Sequence, residues 1–164
     1  MTVSLRPATV QDRDLLFQIY AGTRRDEFAA LDWPPEQLAG FLQMQWRAQQ
    51  RHYQSAYPNA EDSIVVVNDA GVGRMLVDCS PTDIVLVDLA LLPEYRNRGI
   101  GTSLLNKVLA KGDSEKKPVR LSVIKSNPAV HWYQCFGFSQ VADDGVYLLL
   151  ERLPAEAASV VSPK

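Results

Sequence analysis

Cysteine is scarce in this chain: two residues in 164, Cys79 and Cys135, in no C-x-x-C pair and with no histidine pattern beside them. That excludes a disulfide framework and a thiolate zinc site, and both thiols read as reduced packing residues. Histidine is equally rare; His52 has no ligand partner four residues on and is read as structural. An excess of charge of either sign is missing too. Seventeen lysines and arginines face nineteen acids, a formal net charge of −2, without the basic surplus of a nucleic-acid surface. No stable nucleic-acid partner is expected, although an RNA-borne substrate is not excluded. No apolar run approaches membrane-spanning length, and the first residues lack a basic segment followed by an apolar one. The expectation is therefore a cytoplasmic protein with no membrane partner. What is present is 46% apolar residues, enough for one core. Residues 1–153 read as a single domain, and 154–164, rich in Ala and Ser without period, as a flexible tail.

The densest signal lies between Val85 and Leu109. Val85-Leu86-Val87-Asp88-Leu89-Ala90-Leu91-Leu92 is apolar but for one charge, the pattern of a central strand covered on both faces. Pro93-Glu94-Tyr95-Arg96-Asn97-Arg98-Gly99-Ile100-Gly101 follows, and Ile100, Leu104, Leu105, Val108 and Leu109 then recur at helix-face spacing. The glycines thus stand at a helix start, where the first amides have no intrahelical partner and carry the positive end of the macrodipole. Glycines 99 and 101 let a pyrophosphate approach those amides, and Arg96 and Arg98 add charge-assisted donors of about 1.5–3 kcal/mol each. Other phosphate motifs fit poorly. A Walker loop, G-x-x-x-x-G-K-S/T, is absent, and a dinucleotide fingerprint needs a third glycine where Leu104 stands. A plain helix start with solvated arginines is the competing reading.

Arg96-x-x-Gly99-x-Gly101, preceded by an apolar strand and Pro-Glu-Tyr, resembles the acyl-CoA-binding motif of the GNAT superfamily of N-acyltransferases. A second anchor follows in order: Asn127-Pro128-Ala129-Val130-His131-Trp132-Tyr133-Gln134-Cys135-Phe136-Gly137-Phe138 resembles the family's later helix, with its Asn, Ala, Tyr and terminal Gly-Phe. The resemblance covers nearly the whole chain. It implies an α/β (α+β) fold: a central, mostly antiparallel mixed sheet with two splayed parallel strands, flanked by four helices. The splayed strands would be Val85–Leu92 and Val119–Ile124, with backbone at Leu91 and Leu92 on the pantetheine arm and the turn from Asn97 through Gly99, Ile100 and Gly101 to Thr102 on the pyrophosphate. Asn127 would contact the pantetheine, although it falls one residue later than the commonest spacing.

Around this centre, Val3 to Arg6 reads as a strand and Leu15, Leu16, Ile19 and Tyr20 as a helix face. Gly22 to Trp33 reads as the connection to a second helix beginning at Pro34-Pro35-Glu36. The resemblance puts that connection beside the acceptor pocket, where Asp26 and Glu27 would meet a cationic amine; a solvated turn is the alternative. Ile64–Val67 and Val72–Val77 form a hairpin, with Gly71-x-Gly73 as turn chemistry. Lys111 to Pro118 reads as a surface loop, and Phe138–Val141 with Val146–Leu150 as a last hairpin.

The implied chemistry is amine attack on the thioester of acetyl-CoA, the acetyl-donor cosubstrate, with no metal required. An alkylamine of pKa near 10.4 is neutral only about once in 2,500 molecules at pH 7, equivalent to roughly 4.6 kcal/mol, so a base is useful. Asp88, the one carboxylate of the central strand, is the candidate base, since buried strands seldom carry a charge without cause; pairing with an arginine or a backbone group is the alternative. The family's glutamate earlier in this strand has no counterpart, because Ile84 and Val85 stand there. Glu27 acting through water is a second candidate. Tyr133 matches the family tyrosine that protonates the leaving thiolate, and a phenol suits that role. The acceptor expected is a primary amine of a small molecule or amino acid. Acetylation of a protein or aminoacyl-tRNA amine, and a noncatalytic acyl-CoA sensor, are the other readings. The resemblance allows a homodimer, and no stretch of sequence marks an interface.

Overall fold

The computed structural model describes residues 2–155. Among the described residues seven strands and four α-helices follow in the order β1 (Val3–Pro7), α1 (Arg13–Phe28), α2 (Pro35–Ala56), β2 (Glu61–Val67), β3 (Ala70–Cys79), β4 (Ile84–Leu91), α3 (Ile100–Glu115), β5 (Val119–Ile124), α4 (Ala129–Cys135), β6 (Ser139–Asp143) and β7 (Tyr147–Arg152). The strands form one mixed sheet in the order β1-β2-β3-β4-β5-β7-β6. β4 and β5 are parallel and their ladder holds two residue pairs, Ile84 with Val119 and Val85 with Arg120, while β4 itself runs on to Leu91. β5 pairs β7 along its whole length, antiparallel. Among the described residues no helix is long and apolar enough to cross a membrane.

The described residues form two compact units, one reaching to Leu76 and including Asp88–Gly101, the other holding Val77–Val87 and the described residues from Thr102 on. In the first, Tyr20, Ala21, Leu42 and Trp46 are buried together, with Leu16, Phe17, Phe28 and Leu38 packed against them. α1 extends through Phe28, so Asp26 and Glu27 belong to its last turn and not to a connecting loop. Sequence periodicity fades there because Arg24, Arg25, Asp26 and Glu27 are polar in succession; Arg24 and Glu27 pair at 3.4 Å. In the second unit Ile84, Leu104, Leu105, Val119 and Leu150 are fully buried. α3 continues to Glu115, where a loop was expected from Lys111. An i,i+4 contact of Lys111 with Glu115 at 3.3 Å supports that last turn. The expected tail falls mostly outside the described residues; within them, the Ala155 N–H donates to Asp113 at 2.8 Å.

At the start of α1, Asp12 receives Arg6 through two bonds of 2.8 and 2.9 Å and the Thr9 amide at 2.8 Å. The Arg6 guanidinium and that amide bring the carboxyl down to about 2. A depressed carboxylate stabilises the fold above its ordinary pKa and stops doing so as pH falls through the folded value. Arg6 is half exposed, so solvent screening leaves about 1 kcal/mol. Asp12→Asn should therefore lower Tm by a few degrees at pH 7, with the difference from wild type closing between pH 4 and 2 in thermal melts.

The β2–β3 turn is made by Asn68 and Asp69 alone, both with positive φ, a two-residue hairpin turn matched to strand twist. Gly71 and Gly73 lie inside β3 instead of in the turn. A Cβ on Gly73 would stand 2.5 Å from the Ala90 carbonyl oxygen and 3.3 Å from the Leu91 Cα. Glycine here permits a close approach to the end of β4. Gly73→Ala should destabilise by about 1–3 kcal/mol and displace Leu91, which thermal melts check.

Candidate active site

β4 ends in the first unit as a continuous path from a carboxylate to a helix start. Asp88 is partly exposed at its surface, yet protein surrounds its carboxyl, and burial is the largest influence, pushing it up to about 6. Arg74 and, more weakly, Arg24 and the Leu89 amide pull the other way, while Asp62 adds to the rise. Four residues on, at about 3.3 Å per residue along the strand, Leu92 donates to the Val72 carbonyl at 2.8 Å and accepts from the Tyr95 amide at 2.9 Å. A short 3-10 turn, Pro93–Tyr95, then reverses the chain.

The turn into α3 is held in left-handed backbone at Asn97 (φ 60°) and Gly99 (φ 81°). Only glycine takes such a value freely, and nothing lies within 4 Å of where a Gly99 Cβ would stand. Asn97, Arg98 and Gly99 are exposed, while Ile100 is buried and fixes the helix start. The first amides of α3 are thus offered from an open, positively charged turn, a geometry that takes phosphate oxygens. The two arginines part company. Arg96 is directed inward: its Nε donates to the Leu91 carbonyl and its Nη2 to the Gly22 carbonyl, both at 3.2 Å. It ties the turn to β4 and α1. Arg98 lies with its guanidinium 5.3 Å from the Tyr95 ring centre and is the exposed cation of the turn.

Thr102, Asn127 and Tyr133 belong to the second unit. The Asn127 carboxamide oxygen accepts from the Ala129 amide at 2.9 Å, steadying the start of α4 and leaving its nitrogen as a donor. Tyr133 is half-buried on α4, edge-on to Trp132 at 5.0 Å and to Phe138 at 5.7 Å, so its ring orientation is set by packing. Both cysteines are exposed, contrary to the packing role expected of them. Cys135 Sγ stands 4.0 Å from His131 Nε2, an i,i+4 pairing that corrects the expectation of no histidine beside the cysteines. Among the described residues no group of three or more His, Cys, Asp or Glu could hold a metal ion.

Asp62 and Arg74, which reach the candidate base electrostatically, were not singled out in the sequence. The available signal was an arginine inside the Val72–Val77 run of β3 that is otherwise apolar and buried.

The sequence matches the acetyltransferase (GNAT) domain over residues 59–140, half of its 164 residues, and the chain belongs to the GNAT acetyltransferase family. Its fold is similar to that of the PaiA N-acetyltransferase of Thermoplasma acidophilum in complex with coenzyme A, with TM-score 0.70, 18% identity and coverage of 93% of this chain and 99% of that one. It is similar also to an acetyltransferase of Thermus thermophilus, at TM-score 0.67, 22% identity and coverage of 93% and 97%. A GNAT family acetyltransferase of Elizabethkingia anophelis with acetyl-CoA bound matches at TM-score 0.56, 16% identity and coverage of 92% and 97%. No curated protein matches the sequence.

Proposed function

We propose that this chain is an N-acetyltransferase that moves the acetyl group of acetyl-CoA to a primary amine of a small molecule or amino acid by direct attack on the thioester. The observation that carries the reading is the single path of β4: a carboxylate of raised pKa at Asp88 and, a few residues on, a left-handed glycine turn opening onto the α3 amides. Family membership supports the acyl donor, and the coenzyme A of the Thermoplasma protein and the acetyl-CoA of the Elizabethkingia protein support its identity.

In this mechanism the amides from Asn97 to Thr102 and the Arg98 guanidinium hold the pyrophosphate, while Arg96 stiffens the turn from behind. Leu91, Leu92 and the Asn127 carboxamide nitrogen hold the pantetheine arm; the Leu91 carbonyl accepts from Arg96 and the Leu92 carbonyl from Tyr95, and a carbonyl oxygen has two lone pairs. Asp88, ionised above about pH 6, takes the proton of the incoming ammonium. The freed nitrogen bonds to the acetyl carbon, the carbon–sulfur bond breaks, and Tyr133 gives its phenolic proton to the sulfur; the acylated nitrogen gives up its remaining extra proton through water to the Tyr133 phenolate, and Asp88 returns its own proton to solvent. The products are an amide and the coenzyme A thiol.

Thiol release from acetyl-CoA across amines, polyamines, amino acids, aminoglycosides and peptides tests this. Release that depends on a small amine is the expected result. Release only with peptides or other macromolecules would overturn the acceptor assignment, and binding of acetyl-CoA without release under any condition would overturn the catalytic reading.

A further inference from the structure

β2, β3 and β4 follow one another in the sheet; Arg74 of β3 is bonded to Asp62 of β2, and both act through their charge on Asp88 of β4. Arg74 is 5% exposed. Its Nε and Nη2 donate to the two Asp62 oxygens, both at 2.9 Å, and its guanidinium carbon lies 5.5 Å from the Tyr53 ring centre. A buried pair of this kind gives little net stability, because removing both charges from water costs about as much as their attraction returns. Asp62 is a third exposed and borders a cavity of about 230 Å³ lined by Gln50, Tyr53, Gln54 and Tyr57 among others, so its carboxylate remains within reach of solvent. The pair therefore calls for a role other than core stability, and the carboxyl on the next strand supplies one.

The molecule contains its own control. Asp12 has an arginine to itself, gripped by two short bonds, and its carboxyl lies at about 2. A base that weak is poorly suited to accept a proton from an amine. Asp88 has its arginine at one remove, because Asp62 holds that guanidinium. Of the charges acting on it, Arg74 of β3 is the largest attraction, Asp62 of β2 opposes it, and Arg24 of α1 adds a smaller attraction. The arrangement neither lets Asp88 form a tight ion pair nor leaves it in a charge-free core.

Resting on Asp88 as the base, we propose that Arg74, clamped by Asp62, is the positioning residue that sets the ionisation of Asp88 and so the pH range in which the base works. The two members of the pair then act with opposite sign. Removing the Asp62 charge takes away a repulsion and frees Arg74 toward Asp88, so the carboxyl becomes more acidic. Removing the Arg74 charge takes away the attraction and exposes Asp88 to Asp62, so it becomes less acidic.

The test is a carboxyl-carbon NMR titration of aspartate-labelled protein, with Asp88 assigned by its loss in Asp88→Asn, run on wild type, Asp62→Asn, Arg74→Gln and Arg74→Lys. It needs no acceptor. Asp62→Asn should move the Asp88 midpoint down by about one pH unit, a tenfold change in proton affinity, and Arg74→Gln should move it up by about as much; Arg74→Lys should restore most of the wild-type value. The acidic limb of kcat/KM should follow each shift. Shifts of the same sign in both variants, or none, overturn the proposal. Midpoints that move while the rate profile stays fixed overturn Asp88 as base, and the positioning role with it. Should Arg74→Gln not fold, Asp62→Asn decides alone, since a downward shift is opposite to what burial without charges would give.

Discussion

Asp88→Asn is expected to lower kcat by about 10²–10⁴, the usual contribution of a positioned acid or base, and to make the protein more stable at alkaline pH. Wild-type activity should rise through an acidic limb near pH 6, where the Asp88 carboxyl ionises. Below it the base is protonated and kcat/KM falls tenfold per pH unit; in Asp88→Asn that limb should be missing. The stability effect has the opposite direction. A carboxyl whose folded pKa is raised favours the folded state below its ordinary pKa, near 4, and that contribution is lost as pH rises through about 6. At pH 8 the ionised, enclosed carboxylate then costs about 3 kcal/mol, two units at 1.36 kcal/mol each. Asparagine carries no such charge. Thermal melts should show Asp88→Asn gaining several degrees at pH 8, about half as much at pH 5 and almost nothing at pH 3, a trade of stability for a working base. A variant as active as wild type, with its acidic limb intact, would remove Asp88 from the chemistry.

Tyr133→Phe should cut kcat by about a hundredfold while the affinity for acetyl-CoA stays within a factor of two of wild type, the pattern of an interaction made only as the thiolate leaves. The substitution keeps the ring that packs edge-on to Trp132 and Phe138, so α4 has no reason to move. It removes the phenolic hydroxyl and with it the proposed acid. A thiol of pKa near 8.5 is a fair leaving group unaided, which keeps the expected loss toward the lower end of the range for general acids. Parallel calorimetry with acetyl-CoA and steady-state rates with any active acceptor separate the two quantities. Equal loss of binding and turnover would make Tyr133 a packing residue.

Sequence carried the centre of the fold because the physics there is local. The apolar run of β4 and the glycines beyond it mark a strand and a helix start without help from the rest of the chain, and β5 was read with its observed ends. The places that were not legible depend on distant partners. Arg96 looked like a phosphate ligand in sequence, and only the fold brings the Gly22 carbonyl, seventy-four positions away, to its guanidinium. Gly73 looked like turn chemistry until the end of β4 was found beside it. Asp88 was visible as an oddity in an apolar strand, but its proton affinity is raised by burial and adjusted by Arg74 and Asp62, side chains of a hairpin whose register with β4 no local pattern announces.

The most direct measurement follows a labelled acetyl group from acetyl-CoA in the presence of an amine that supports thiol release. The label should be found on the amine nitrogen as an amide, at one equivalent per thiol released, with none retained by the protein during turnover. Label accumulating on the protein and then passing to product, or appearing as free acetate at the rate of thiol release, would contradict direct transfer.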